Sequence, residues 1–183
     1  MKTTQLPLYG VALLLGACLV SNLSAQTEAL PNSPTPSGQA TATVSLDHSD
    51  RSFLEKAAKS GMKEVDVSQA VVGRLTNPQV RDFAQMMVND HTSANSELMA
   101  LAARRGVTLP ADKPKYADKW SRKGGDLDED YIGEMKDDHE DAVKLFEKAA
   151  KSNDPEIAAF AQKTLPTLEH HLELAKQLKK SVK

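Results

Sequence analysis

The chain has 183 residues, 23 basic and 25 acidic, for a formal charge of −2. That length holds one domain plus a leader and a linker. With no Lys/Arg cluster beyond the short Lys179-Lys180 end, the charge pattern argues against a nucleic-acid partner.

Aromatics make up 4% of the chain, and the apolar content is mostly Ala, Leu and Val, which favours helix over sheet. The single cysteine, Cys18, excludes an intramolecular disulfide and a cysteine-based zinc site.

Residues 1–25 read as an export signal. Lys2 is the charged start, and the run from Leu8 to Val20 is too short for a comfortable membrane span. The segment carries no acid, so its removal takes the charge from −2 to −3. Two cleavage patterns stay open. Leu23-Ser24-Ala25 ends in the small residue that signal peptidase I requires, whereas Leu15-Gly16-Ala17-Cys18 resembles a bacterial lipobox. In the second case Cys18 carries lipid and attaches the domain to a membrane surface. Both place the protein outside the cytoplasm, in the periplasm, on the outer membrane or secreted. Residues 26–49 contain Pro31, Pro34 and Pro36 among Ser, Thr and Ala, a composition that predicts a flexible tether. His48 falls within it.

Residues 50–180 carry four amphipathic helical patterns. The first begins near Ser52, where Ser52-x-x-Glu55 forms a capping box, and runs to about Leu75. Its apolar stripe is Leu54, Ala57, Gly61, Glu64, Ser68 and Val71. Asn77 caps the second, with Pro78 at its first position. That stripe passes through Val80, Ala84, Met87, His91, Leu98 and Leu101, and Gly106 ends the helix. The third spans about Asp128 to Ser152, with Ile132, Met135, His139, Ala142 and Phe146 inward. Asp154 caps the fourth, again followed by proline, and its stripe includes Ile157, Ala161, Leu168, His171 and Ala175. Pro166 interrupts this helix and deprives the Gln162 carbonyl of its donor, at about 3 kcal/mol; the expected kink either simply wraps the helix around the core or aims His171 inward, and the first is favoured because kinks follow from proline alone.

Short turns make hairpins of helices 1–2 and 3–4. The connection from Val107 to Leu127 is long enough, at about 3.3 Å per residue, to run the length of the domain. The expected fold is therefore all-α, a ferritin-like four-helix bundle with a long connection between helices 2 and 3. Asn77-Pro78-Gln79-Val80 echoes Asp154-Pro155-Glu156-Ile157 at an offset of 77 residues, and Met87-x-x-Asp90-His91 echoes Met135-x-x-Asp138-His139. The second pair relates different helices from the first, so one duplication does not explain both.

Glu64, His91, His139 and His171 each sit on an otherwise apolar stripe. At 1.5 Å per residue, Glu64 and His91 lie about 18–20 Å from their shared turn, and His139 and His171 about 20–26 Å from the other. All four meet near mid-height. Ionisable groups in a helical interior are costly unless paired or bound to metal. Imidazole with a carboxylate suits zinc, copper or iron. Asp90, Asp138 and Glu169 flank the histidines as candidate orienting groups, although adjacent positions point about 100° away. Met87 and Met135, one turn before two of the histidines, are either thioether ligands or core filler. His170 projects sideways into solvent.

Carboxylate-bridged di-iron bundles use Glu-x-x-His on two helices. Here Val88 precedes His91 by three and Leu168 precedes His171 by three, so that chemistry is not expected. No phosphate loop, nucleophile elbow, HExxH or dinucleotide motif appears.

Several runs resemble one family of exported bacterial proteins. They are Phe53-Leu54-x-x-Ala57-Ala58-x-x-Gly61-Met62-x-Glu64-Val65, Phe83-Ala84-x-x-Met87-Val88-x-Asp90-His91, Tyr131-x-x-x-Met135-x-x-Asp138-His139 and Leu165-Pro166-Thr167-Leu168-x-x-His171-Leu172. The family is the domain of unknown function 4142, whose members are often labelled predicted outer-membrane proteins. The resemblance covers about residues 50–178 and implies a ferritin-like bundle outside the cytoplasm. It implies no activity and no ligand role for the matching polar residues.

Three functions compete on these grounds. One is a metal-binding bundle for sequestration or stress protection. Another is a non-catalytic envelope module with a buried polar network, its protein partner unidentified. The third, ranked last, is an enzyme with Glu64 as base, because no motif predicts the accessible cavity a base needs.

Overall fold

A computed structural model describes residues 46–109 and 116–182. The export segment with Cys18, and the tether up to residue 45, lie outside the described residues. What is described is helical: α1 (His48–Val71), α2 (Pro78–Arg104), α3 (Tyr116–Ser121), α4 (Leu127–Ala149) and α5 (Pro155–Ser181). Among the described residues there is no strand, and no helix is long and apolar enough to cross a membrane.

Each long helix starts at a side-chain cap. Asp47, Asn77, Asp126 and Asp154 accept backbone N–H groups of their own first turns, a contribution of about 1 kcal/mol apiece. The cap of α1 corrects the sequence expectation. Asp47 caps it, so the helix begins at His48 rather than near Ser52, and His48 belongs to its first turn instead of the tether. The short carboxylate at Asp47 reaches Asp50 N at 2.8 Å, which leaves Ser52 inside the helix. At the other end Gly106, with φ of 67°, takes the left-handed conformation that closes α2. Helix α5 continues through Pro166 as one element.

Contacts between helices fix their directions. Gly61 of α1 lies against Asn95 of α2. Along α1 and α4, Asp50 meets Ser152 and Ser68 meets Tyr131, so these two run antiparallel. Helix α5 runs against α4, pairing Phe160 with Phe146 and Lys179 with Glu129. It also runs against α2, pairing Glu156 with Arg104 and Lys163 with Glu97. Hence α2 and α4 point the same way, and the chain between them must return the length of the helices.

Near the end of that return sits α3, a short helix that the sequence pattern does not predict. Six residues carry too little periodicity to register; tertiary contacts hold them. Asp66 accepts the Ala117 N–H at 2.7 Å, and Arg74 donates to the carbonyls of Trp120 and Lys123, both at 2.6 Å. Trp120 is thereby buried against Tyr131, ring centroids 6.2 Å apart.

The core is in two apolar clusters. One gathers Phe53, Leu54, Leu98, Phe146, Ile157 and Phe160; the other gathers Val67, Val80, Phe83, Trp120, Tyr131 and Ile132. Each fully buried aliphatic or aromatic side chain stabilises by about 1.5–3 kcal/mol. Between the clusters, at mid-height, lies a layer of polar side chains.

Candidate metal centre

That layer holds Glu64 of α1, His91 of α2, His139 of α4 and His171 of α5, exposed by only 1%, 6%, 0% and 1%. Each falls on the inward stripe because it is spaced three or four residues from other buried residues, as Glu64 is from Val67 and Ser68. Gly61, one turn before Glu64, lets α1 approach α2 closely. A Cβ there would collide with the Asn95 amide.

The hydrogen bonds determine which ring atoms face inward. His139 Nδ1 lies 2.8 Å from the Met135 carbonyl. A carbonyl only accepts, so Nδ1 carries the proton and the neutral ring presents its lone pair at Nε2. His171 Nε2 lies 2.9 Å from Asp90 Oδ2, and a carboxylate likewise accepts. The lone pair of neutral His171 is then at Nδ1, which faces His139 Nε2 across 3.3 Å. Two acceptors point at one another.

Glu64 completes the arrangement from the other side. Ser60 Oγ donates to its Oε1 at 3.3 Å. Its Oε2 lies 2.6 Å from His91 Nε2 and 3.7 Å from His139 Nε2. In spite of the short separation, neither Glu64 Oε2 nor His91 Nε2 has an aligned hydrogen bond. Charge attraction is present without directional satisfaction, and buried polar atoms left so are costly.

Burial and charge pull the four groups apart in proton affinity. Burial pushes the Glu64 carboxyl up, but the neighbouring His91 and His139 outweigh it and hold the group at about 2. Burial lowers His91, yet the Glu64 carboxylate more than compensates and keeps it above its ordinary value. Burial lowers His139, with only partial compensation by Glu64. It also lowers His171 to about 4, against the Asp90 hydrogen bond. The Glu64 carboxylate thus favours the imidazolium form of His91, while burial favours the neutral rings of His139 and His171.

The donor set fits a transition metal. One ligand atom from each of His91, His139 and His171 lies within 4.8 Å of the others. Two ligands on a tetrahedral ion at bond lengths near 2.0–2.1 Å sit about 3.4 Å apart, close to the 3.3 Å between His139 and His171 and the 3.7 Å between Glu64 and His139. Glu64 contacts two of the three rings.

The expected orienting groups divide. Asp90 holds His171. Asp138 does not touch a histidine: it bonds Lys63 at 2.8 Å, which also reaches Glu134 at 2.6 Å. Burial raises Asp138 to about 6, against the pull of Lys63. Glu169 is exposed and bonded to no member of the cluster. Both corrections follow from the 100° step between adjacent helical positions; Asp90 escapes it because α5 lies on that side. Met87 and Met135 are buried in the Trp120 cluster as packing side chains, and only the Met135 carbonyl reaches the site. His170 is exposed, as expected. Sequence reasoning missed Ser60 and Asn95. Ser60 precedes Glu64 by four, a spacing at which side chains meet, and that signal was available; Asn95 has meaning only through the gap at Gly61.

The fold and site together define an all-helical protein with a buried histidine cluster. The chain belongs to the family described as domain of unknown function (DUF4142), which matches residues 34–178. No curated protein matches it. Among solved structures it is similar to a DUF305 fragment from Deinococcus radiodurans, with 13% identity, a TM-score of 0.63, and 74% of this chain and 97% of that one covered. It is also similar to the conserved hypothetical protein rv2844 from Mycobacterium tuberculosis, with 13% identity, a TM-score of 0.58, and coverage of 72% and 91%. At such identity the likeness shows the helical fold alone.

Proposed function

We propose that this protein is an exported, ferritin-like four-helix bundle that binds one transition-metal ion through Glu64, His91, His139 and His171, in a sequestering or stress-protective role. The observation that carries the proposal is the inward aim of two neutral imidazole lone pairs, His139 Nε2 and His171 Nδ1, toward one another beside the unaligned Glu64 Oε2. A cation between them satisfies every one of these acceptors. Zinc(II), copper(II) and iron(II) all accept such a nitrogen and oxygen set. Export, to the periplasm or to a membrane anchored through Cys18, rests on the N-terminal sequence. Elemental analysis of protein purified from the periplasm tests the proposal. One equivalent of metal is expected in the parent protein and none in His139→Ala.

The 2.6 Å contact between Glu64 and His91 and the Asp90–His171 bond favour a second reading. In it the layer is a polar network that specifies how the helices pair in a structural envelope module, without metal. That reading predicts a metal-free protein from the same preparation, and a loss of stability in His139→Ala that added metal ions do not influence.

A further inference from the structure

The layer is not flush with the core below it. A cavity of about 40 Å³ opens on the side facing Phe146 and Phe160. Its polar end is formed by Glu64, His91, His171 and Asn95, and its walls by small or apolar residues that include Ala57, Gly61, Ala94 and Leu98. At roughly 10–15 Å³ per water-sized probe, the space takes about three heavy atoms. Glu64 Oε2 and His91 Nε2, both without an aligned hydrogen bond, belong to groups that line it. The cavity also shares Asp90, Ala94, Thr164 and Thr167 with a surface groove between α2 and α5, so a small molecule has a way in.

We infer that this cavity is a binding site for a small exogenous anion of two or three heavy atoms, held as an additional ligand on the metal ion. The inference rests on the metal-binding reading above. Charge selects the class. A divalent ion held by one carboxylate and three neutral imidazoles leaves one net positive charge in the interior, where unbalanced charge is costly. Asp90 answers it only from a side chain that is 42% exposed. A monoanion completes the balance. Size excludes larger groups, and the apolar walls favour compact, weakly hydrated ligands over oxyanions that need several donors. Asn95, one turn beyond His91, supplies a donor. Its amide makes no hydrogen bond among the described residues and lines the cavity, in the place that a side chain at Gly61 would fill. Asn95 is accordingly a positioning residue for the anion.

Azide titrated into the cobalt(II)-loaded protein is the test, followed by the visible spectrum of the metal, with bound cobalt quantified separately. A saturable spectral change is expected in the parent protein. In Ala94→Leu, which fills the cavity from a half-buried position, cobalt stays stoichiometric and azide affinity falls about tenfold or more. Asn95→Ala, a milder change, keeps the metal and weakens azide by about three- to tenfold, the worth of one hydrogen bond. Stoichiometric cobalt with no azide response, or an azide response unchanged in both variants, overturns the anion site and leaves the metal reading standing. Failure to bind cobalt overturns both.

Discussion

His139 Nε2 and His171 Nδ1 face each other across 3.3 Å, each ring having already committed its other nitrogen to an acceptor, the Met135 carbonyl and the Asp90 carboxylate. Neither neutral ring has a proton for the gap. An extra proton resolves the conflict only by charging a ring that burial holds neutral, while a metal ion resolves it by accepting both lone pairs with the rings still neutral.

The first prediction concerns Asp90. Its bond orients His171 and fixes the tautomer, yet the side chain is 42% exposed, so its direct share of stability is small. Asp90→Asn is expected to weaken metal binding by about 10- to 100-fold while changing the unfolding free energy by less than about 1 kcal/mol. Competition against a chromophoric chelator measures the first, and urea unfolding of metal-free protein the second. Loss of both in parallel contradicts an orienting role.

The second is a pH dependence. His171 sits near 4 instead of its ordinary 6.5 because burial penalises the imidazolium. Between those values the unfolded chain binds more protons than the folded one, so stability falls with falling pH. The contribution is complete above about 6.5 and gone near 4, on the order of 3 kcal/mol. Glu64, held near 2 from 4.5, adds a loss in the same direction below about 4.5. His91 is raised by Glu64 and works oppositely: its contribution is present below 6.5 and disappears as pH climbs through its raised value. Asp138, pushed up to about 6 from 3.8, costs stability as pH rises through that window, but the group is partly solvated and offsets His171 only in part. Urea midpoints of metal-free protein should therefore drop from pH 7 to pH 5 and again to pH 3. A midpoint that is flat or rising on acidification contradicts this account.

Removing the Glu64 charge strands its partner. In Glu64→Gln a buried His91, 6% exposed, has no carboxylate to hold its proton, and breaking such a pair costs about 3–5 kcal/mol. The loss should be largest near pH 6, where His91 in the parent is charged. It should shrink on going toward pH 9, as the parent ring gives up its proton with rising pH. Denaturant unfolding at the two pH values, with the parent beside it, reads the difference directly.

A fourth prediction lies away from the cluster. Asp128, 7% exposed, accepts from the backbone N–H of Thr76 and of Asn77, at 3.1 and 3.2 Å, and from the Thr76 hydroxyl. It ties the α1–α2 turn to the start of α4. Asp128→Ala removes these bonds to a charged acceptor, whose donors are only partly buried, at about 1–3 kcal/mol. Thermal unfolding should show the loss, and bound metal per folded chain should stay as in the parent.

What the amino-acid order determined is periodic or local. The long helices were legible because their apolar residues recur at three and four, and because Asn77-Pro78 and Asp154-Pro155 mark helix starts that depend on neighbours in the chain alone. The same periodicity put Glu64, His91, His139 and His171 on inward faces, and simple rise per residue put them at one height. Tertiary structure decided the rest. The Asp47 cap and the six residues of α3 carry signals too short to outweigh stronger local patterns. Asp90 joined the site while Asp138 turned to Lys63, since side chains set 100° off a stripe meet whichever helix packs beside them. Which nitrogen of each ring faces inward was settled by acceptors from other residues. The cavity beside Asn95 exists because Gly61 lies opposite it on another helix, a distance relation between segments far apart in the chain that no periodicity encodes.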